Sequence, residues 1–132
     1  LASSLLVVVA QRLVRLICDE CITIFEPDET MLKELEMIGL TRDDLADGRL
    51  RRGEGCANCF QTGYTDRTAI NEVLPVDELV KEQIMERASA TIIKKSAIKR
   101  GLLTLRQDGA DKVRRGLTTV DEVVRVTQRD IT

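Results

Sequence analysis

Apolar residues recur along this 132-residue chain at changing periods, and the changes mark out its segments. Leu6, Val9, Leu13 and Leu16 fall at helical spacing with Arg12 and Arg15 placed elsewhere, which predicts a helix over residues 3–17, capped by Ser3 or Ser4 and ending near Cys18. A short extended piece follows over residues 22–25. Pro27-Asp28-Glu29 then opens a helix carrying Leu32, Leu35 and Ile38, with Gly39 as its stop. Residues 41–45 predict one more helical turn, and the polar, Gly-punctuated residues 49–55 a strand or loop. Gly63-Tyr64 marks a turn before residues 67–76, whose β-prone composition predicts a strand ended by Pro75.

From Asp77 the pattern is helical. Asp77 caps a segment with Leu79, Val80, Ile84 and Met85; residues 90–100 form a second, stopped by Gly101; Thr104 caps a third with Leu105, Ala110 and Val113, stopped by Gly116. Thr119 and Glu122 have capping-box spacing, so each is expected to satisfy the other's amide ahead of Val123, Val124 and Val126. The expected fold class is α+β: a strand-bearing lobe over residues 18–66, then a return strand and a compact helical unit over residues 67–132. No internal repeat is visible.

Composition narrows the function. A hydrophobic content of 43% is enough to bury a core, and 20 Lys plus Arg against 22 Asp plus Glu leave no field of one sign to favour nucleic acid or an anionic membrane. Aromatics at 2% provide few platforms for stacking bases, and the lack of histidine removes the commonest general base and the usual ligands of catalytic zinc. The apolar run over residues 5–10 is too short to span a bilayer, and with no basic segment before it and no small-residue cleavage site after it, it does not read as a secretory signal. The expectation is a cytoplasmic chain without a transmembrane segment. Because the sequence starts at Leu1 and just ahead of a predicted element, it is also expected to be a piece of something longer.

All four cysteines fall in two Cys-x-x-Cys pairs, Cys18/Cys21 and Cys56/Cys59. That spacing lets both sulfurs of a tight turn point at one ion, and two such turns complete the tetrahedron zinc prefers. Four protein ligands close the coordination sphere, so the expected metal is structural, its negative charge balanced by backbone amides of the turns with Arg51 or Arg52 as helpers. A rubredoxin-like iron site, a thioredoxin-like dithiol and four unconnected core cysteines are the alternatives. Asp43, Asp44 and Asp108 sit at helix starts, where an acid favours the dipole, and Arg114-Arg115 at a helix end, where cations do; neither group points to catalysis. No Gly-x-x-x-x-Gly-Lys-Ser/Thr loop is present to cradle a triphosphate.

The order of motifs adds a resemblance. Ser3-Ser4-Leu5-Leu6, Ala10-Gln11-Arg12-Leu13-Val14-Arg15, the first cysteine pair, Gly55-Cys56-x-x-Cys59-x-x-x-Gly63-Tyr64-x-x-Arg67-Thr68, Glu72-Val73-Leu74, Thr104-Leu105-Arg106-x-Asp108-Gly109 and Gly116-Leu117-Thr118-Thr119-x-x-Glu122-Val123 together resemble the C-terminal third of the type II secretion and type IV pilus assembly ATPases. The resemblance implies that residues 1–17 end a RecA-like motor domain and residues 18–66 form an inserted tetracysteine zinc subdomain. It further implies hexameric rings at the cytoplasmic face of the inner membrane, with ATP and Mg bound by the parent protein only, through residues that precede Leu1. The fragment alone is then inactive in ATP hydrolysis. The zinc lobe is expected to face inner-membrane platform proteins. Leu32, Leu35, Met37 and Ile38 are its candidate contacts, set against the simpler reading that they fill the lobe's own core. Val7 stands where the family often has Gly, and residues 27–50 match no one branch, so secretion and pilus systems are not told apart. The competing reading is a free-standing zinc-ribbon adaptor that binds a protein.

Overall fold

The computed structural model, which describes residues 6–128, opens on a strand where the periodicity predicted a helix. The strands are β1 (Val7–Ile17), β2 (Ile22–Phe25), β3 (Leu50–Gly53) and β4 (Tyr64–Pro75). Leu6, Val9 and Leu13, three of the residues at helical spacing, are 80%, 56% and 49% exposed, whereas Val14 and Ile17 are buried. Two forces favour the strand. Val7-Val8-Val9 is a β-branched run that loses side-chain freedom in a helix, and β4 offers an antiparallel partner along the whole length, from Val7 opposite Pro75 to Ile17 opposite Tyr64. The predicted caps Ser3 and Ser4 lie outside the described residues.

β2 pairs antiparallel with β3, Ile22 opposite Gly53 and Phe25 opposite Leu50. The two ladders lie in series, because β1 continues through residues 18–21 into β2 and β3 returns through residues 54–63 into β4. At the junction the backbones touch. A Cβ built on Gly53 would lie 2.2 Å from the Gly63 carbonyl oxygen, so a side chain there would force the strands apart. Between Arg15 and Leu16 the register shifts, leaving Asp66 as an extra residue with φ of 57°. Such a bulge re-aims neighbouring side chains, and here Arg15 stands over the Tyr64 ring at 4.3 Å.

The predicted helices form as α1 (Glu29–Met37), α2 (Glu78–Met85), α3 (Ala90–Lys99), α4 (Leu105–Arg114) and α5 (Val120–Val126). Asp28, Asp77, Ser89, Thr104 and Thr119 each accept a first-turn amide through their side chains, which satisfies donors the helix leaves orphaned. A 3-10 turn at Arg42–Asp44 stands where one helical turn was expected.

Leu35, Ile38, Leu40 and Leu45 do not form a core of their own; they pack with Ala110, Val113, Val120 and Val123 in one cluster. The apolar face of α1 is therefore spent on α4 and α5. Of the four candidate partner contacts, Leu35 and Ile38 are core, Leu32 packs against it, and Met37 is 55% exposed. Gly109 allows the α4–α5 approach, since a Cβ there would fall 2.7 Å from Val123 Cγ1.

Arg106 is buried in α4 without an ion pair among the described residues. Its guanidinium donates to the Met37 carbonyl, to Thr127 Oγ1 and to the Thr127 carbonyl. Met37 ends α1 and Thr127 caps the end of α5, so one cation serves the negative ends of two helix dipoles. That arrangement accounts for an otherwise costly buried charge. Asp108, on the next turn position, accepts the Asn71 amide of β4 at 2.8 Å and pairs with Lys112, while Asp44 accepts the Thr41 amide at 2.7 Å.

Candidate metal centre

The two knuckles are set at the seam between the ladders. Cys18 follows the last residue of β1 and Cys21 precedes the first of β2, while Cys56 and Cys59 sit between β3 and β4. Cross-strand bonds fix the seam: the Cys18 amide donates to the Gly63 carbonyl at 2.9 Å and the Glu54 amide to the Cys21 carbonyl at 3.2 Å. The second knuckle is a tight turn, with the Gln61 amide donating to the Cys56 carbonyl at 2.8 Å and Thr62 Oγ1 to the Cys59 carbonyl at 2.7 Å.

This backbone brings all four sulfurs within 4.8 Å of one another. Cys18–Cys56 and Cys21–Cys59 are 3.8 Å apart and Cys56–Cys59 3.7 Å. A regular tetrahedron with metal–sulfur bonds of about 2.3 Å has edges of roughly 3.8 Å, so these three separations match the edges of a tetrathiolate site. A disulfide needs sulfurs about 2.05 Å apart, and these cysteines are free. The donors also fit. The amides of Gly55, Cys56 and Gly63 donate to Cys21, Cys59 and Cys59 sulfurs at 3.3, 3.3 and 3.2 Å, and Asn58 Nδ2 reaches Cys18 Sγ at 3.6 Å. Backbone amides thus take the expected role. Arg51 and Arg52 do not: Arg52 pairs with Glu54 and lies over the Phe25 ring at 4.4 Å, and Arg51 lies against Gly116.

The thiols differ in acidity. Burial resists ionisation of Cys59, yet the Cys56 and Gly63 amides and the neighbouring thiols outweigh it and draw the thiol down to about 6. Cys21 is pushed up to about 12, first by burial and then by sharing its proton with the other three sulfurs. Four thiols so close cannot all ionise without a compensating cation; a divalent ion supplies that charge.

A brace links the seam to the helices. The Ile17 amide donates to the Leu117 carbonyl at 2.9 Å, Thr118 Oγ1 to the Arg15 carbonyl at 2.7 Å, and Tyr64 OH meets Thr119 Oγ1 at 2.7 Å. At its centre, Glu122 departs from its predicted role. Thr119 does cap the Glu122 amide, but the Glu122 carboxylate accepts from the Arg15 amide at 2.8 Å, from Arg15 Nε and Nη2 at 3.1 and 2.9 Å, and from Arg125 Nε and Nη2 at 3.1 and 3.0 Å. Once β1 is a strand, Arg15 is carried to α5, and a guanidinium is a better partner for a carboxylate than the cap amide. The Gly-Leu-Thr-Thr and Arg15 motifs are thus two halves of one junction, which reading residues 3–17 as a helix kept apart.

The geometry defines an α+β chain with a four-cysteine clamp at the seam between its two ladders. Residues 1–125 match the profile of the Type II/IV secretion system protein family, and the chain belongs to that family. It is 40% identical over 94% of its length to the type IV pilus assembly ATPase PilB of Thermus thermophilus, of which it covers 14%. It is 38% identical over 98% of its length to type II secretion system protein E of Aeromonas hydrophila, covering 25% of that protein, and 39% identical over 97% to type II secretion system ATPase E of Vibrio cholerae, covering 24%. The chain therefore spans a quarter or less of these relatives. Among the described residues no helix is long and apolar enough to cross a membrane.

Proposed function

We propose that this chain is the C-terminal portion of a motor ATPase for type II secretion or type IV pilus assembly, with Cys18, Cys21, Cys56 and Cys59 holding one structural zinc. The observation that carries the metal reading is the cluster of four sulfurs within 4.8 Å of one another, three of whose separations are 3.7–3.8 Å, with amide donors on the sulfurs. Zinc suits it because four thiolates complete its preferred geometry and leave no site for a reacting water.

In this reading residues 1–17 end a RecA-like core, residues 18–66 carry the zinc, and residues 67–132 return to a helical subdomain. Exposed Val7 and Val9 on one side of β1, with Val8 exposed on the other, support the first assignment, since apolar side chains on both faces of a strand are what packing inside a larger domain would cover. ATP and Mg are bound by the parent protein, whose subunits form a hexameric ring peripheral to the inner membrane, and the zinc end couples the motor to platform proteins there. Metal analysis of the purified full-length protein tests the clamp: one zinc per chain that persists under mild oxidation is expected, and a metal-free reversible disulfide sinks it. Deleting residues 18–66 is expected to impair secretion or piliation more than basal hydrolysis; equal loss would place these residues in the motor's own core.

A further inference from the structure

Phe60 is 87% exposed, more than any other large apolar residue described. It directly follows Cys59, at φ of 55°, with Gln61 beside it at 65°. A left-handed backbone disfavours bulky side chains and favours Gly or Asn, so a phenylalanine there is held against its own preference. The other two aromatic rings are each covered by a guanidinium: Tyr64 by Arg15 and Phe25 by Arg52. Phe60 has no comparable cover among the described residues. Its backbone is nevertheless rigid, bonded through its amide to the Ala57 carbonyl at 3.3 Å and flanked by the Gln61 and Thr62 bonds of the knuckle. Strained, fixed and exposed residues of this kind cluster at binding sites, and a preorganised aromatic loses little entropy on docking.

The surroundings are acidic. Asp19 and Glu20, on the facing knuckle between Cys18 and Cys21, are exposed and have no ion pair among the described residues. Four thiolates around a divalent ion add an excess of two negative charges. A lipid surface of anionic headgroups is repelled by such a tip, and a basic protein surface attracted. We propose that Phe60 is an anchor that inserts into an apolar pocket, bordered by lysine or arginine side chains, on a partner protein. This rests on the reading of the cysteines as a metal clamp in the segment that meets the platform, and it names the residue and the chemistry of the contact.

The test uses the full-length protein in cells, with p-benzoyl-phenylalanine in place of Phe60 and the crosslinked site mapped by mass spectrometry. A crosslink to another protein at an apolar site flanked by Lys or Arg is expected. Phe60→Asn should then weaken titrated binding to that captured protein by roughly thirtyfold, the scale of a central aromatic anchor, with zinc content and melting temperature unchanged or raised. A crosslink to a second copy, to lipid or to nothing overturns the proposal, as does Phe60→Asn binding at wild-type strength. Cys56→Ser separates the two readings: if it abolishes coupling while Phe60→Asn does not, the clamp reading stands and the anchor falls. If neither variant affects coupling, the docking reading falls with it.

Discussion

Glu122→Gln removes the charge from the carboxylate at the centre of the brace while keeping its shape. The wild-type side chain is 2% exposed and takes five N–H bonds from Arg15 and Arg125. Burial alone would raise its pKa, but the Arg15 and Arg125 donors prevail and hold it down at about 2 against an ordinary 4.5. By linkage that depression is worth about 3 kcal/mol at neutral pH. Breaking a buried pair costs about 3–5 kcal/mol, but Arg15 and Arg125 are 44% and 54% exposed and can recover water, so about 2–3 kcal/mol is expected for Glu122→Gln. The sign follows from the direction. A carboxylate more acidic in the folded state stabilises fully above its unfolded pKa, and that contribution is lost as pH falls from about 4.5 through about 2. Urea unfolding of wild type and variant across this range gives the difference directly. It should be about 2–3 kcal/mol at neutral pH and shrink below about 1 kcal/mol near pH 2.5, with the Arg15 amide losing hydrogen-exchange protection at neutral pH. A neutral-pH difference under about 1 kcal/mol, or one that ignores pH, refutes the brace.

Acid should also weaken the metal site, because each thiol proton the ion displaces costs about tenfold in affinity per pH unit; competition with a chromogenic chelator between about pH 7.5 and 5.5 measures it, and a flat profile would mean the thiols are not the ligands. Gly109→Ala gains about 1 kcal/mol of helix propensity but drives a methyl to 2.7 Å from Val123, so a net loss of about 1–2 kcal/mol is expected. Adding Val123→Ala should give a double variant more stable than the sum of the singles by thermal denaturation; strict additivity denies the contact. Arg106→Met should destabilise by about 2 kcal/mol by orphaning the Met37 and Thr127 carbonyls, and hydrogen exchange should show the last turns of α1 and α5 opening together. Opening of α5 alone would show that Arg106 does not tie the two.

Local signals carried most of the elements. Asp28, Asp77, Thr104 and Thr119 cap helices because capping is a chemistry of near neighbours, and the cysteine pairs announce their geometry through spacing alone. What stayed hidden was non-local. Val7–Ile17, expected in a helix, form a strand because their partners lie far along the chain, from Tyr64 opposite Ile17 to Pro75 opposite Val7, in a ladder no local period reveals. Glu122 was assigned to a capping box for the same reason: its true partner, Arg15, is 107 residues distant. Asn58 had a local signal, lying inside the second pair as an amide donor, and Phe60 had one too, as an aromatic after a knuckle cysteine.

The same non-local contacts decide which part of the cysteine-bearing segment is available to a partner. With Leu35, Ile38, Leu40 and Leu45 buried against α4 and α5, and Arg106 tying the end of α1 to the end of α5, α1 belongs mechanically to the C-terminal helices. The knuckles are held from the other side, through the Ile17–Leu117 and Cys18–Gly63 bonds and the Glu122 junction. Force applied at the knuckle tip therefore has two rigid routes into α5, one along β1 and one through β2, β3 and the shared core. A hinge between a free lobe and the helices would have none. Under the proposed function such routes are required, because a displacement absorbed by a soft joint does no work on what lies beyond it.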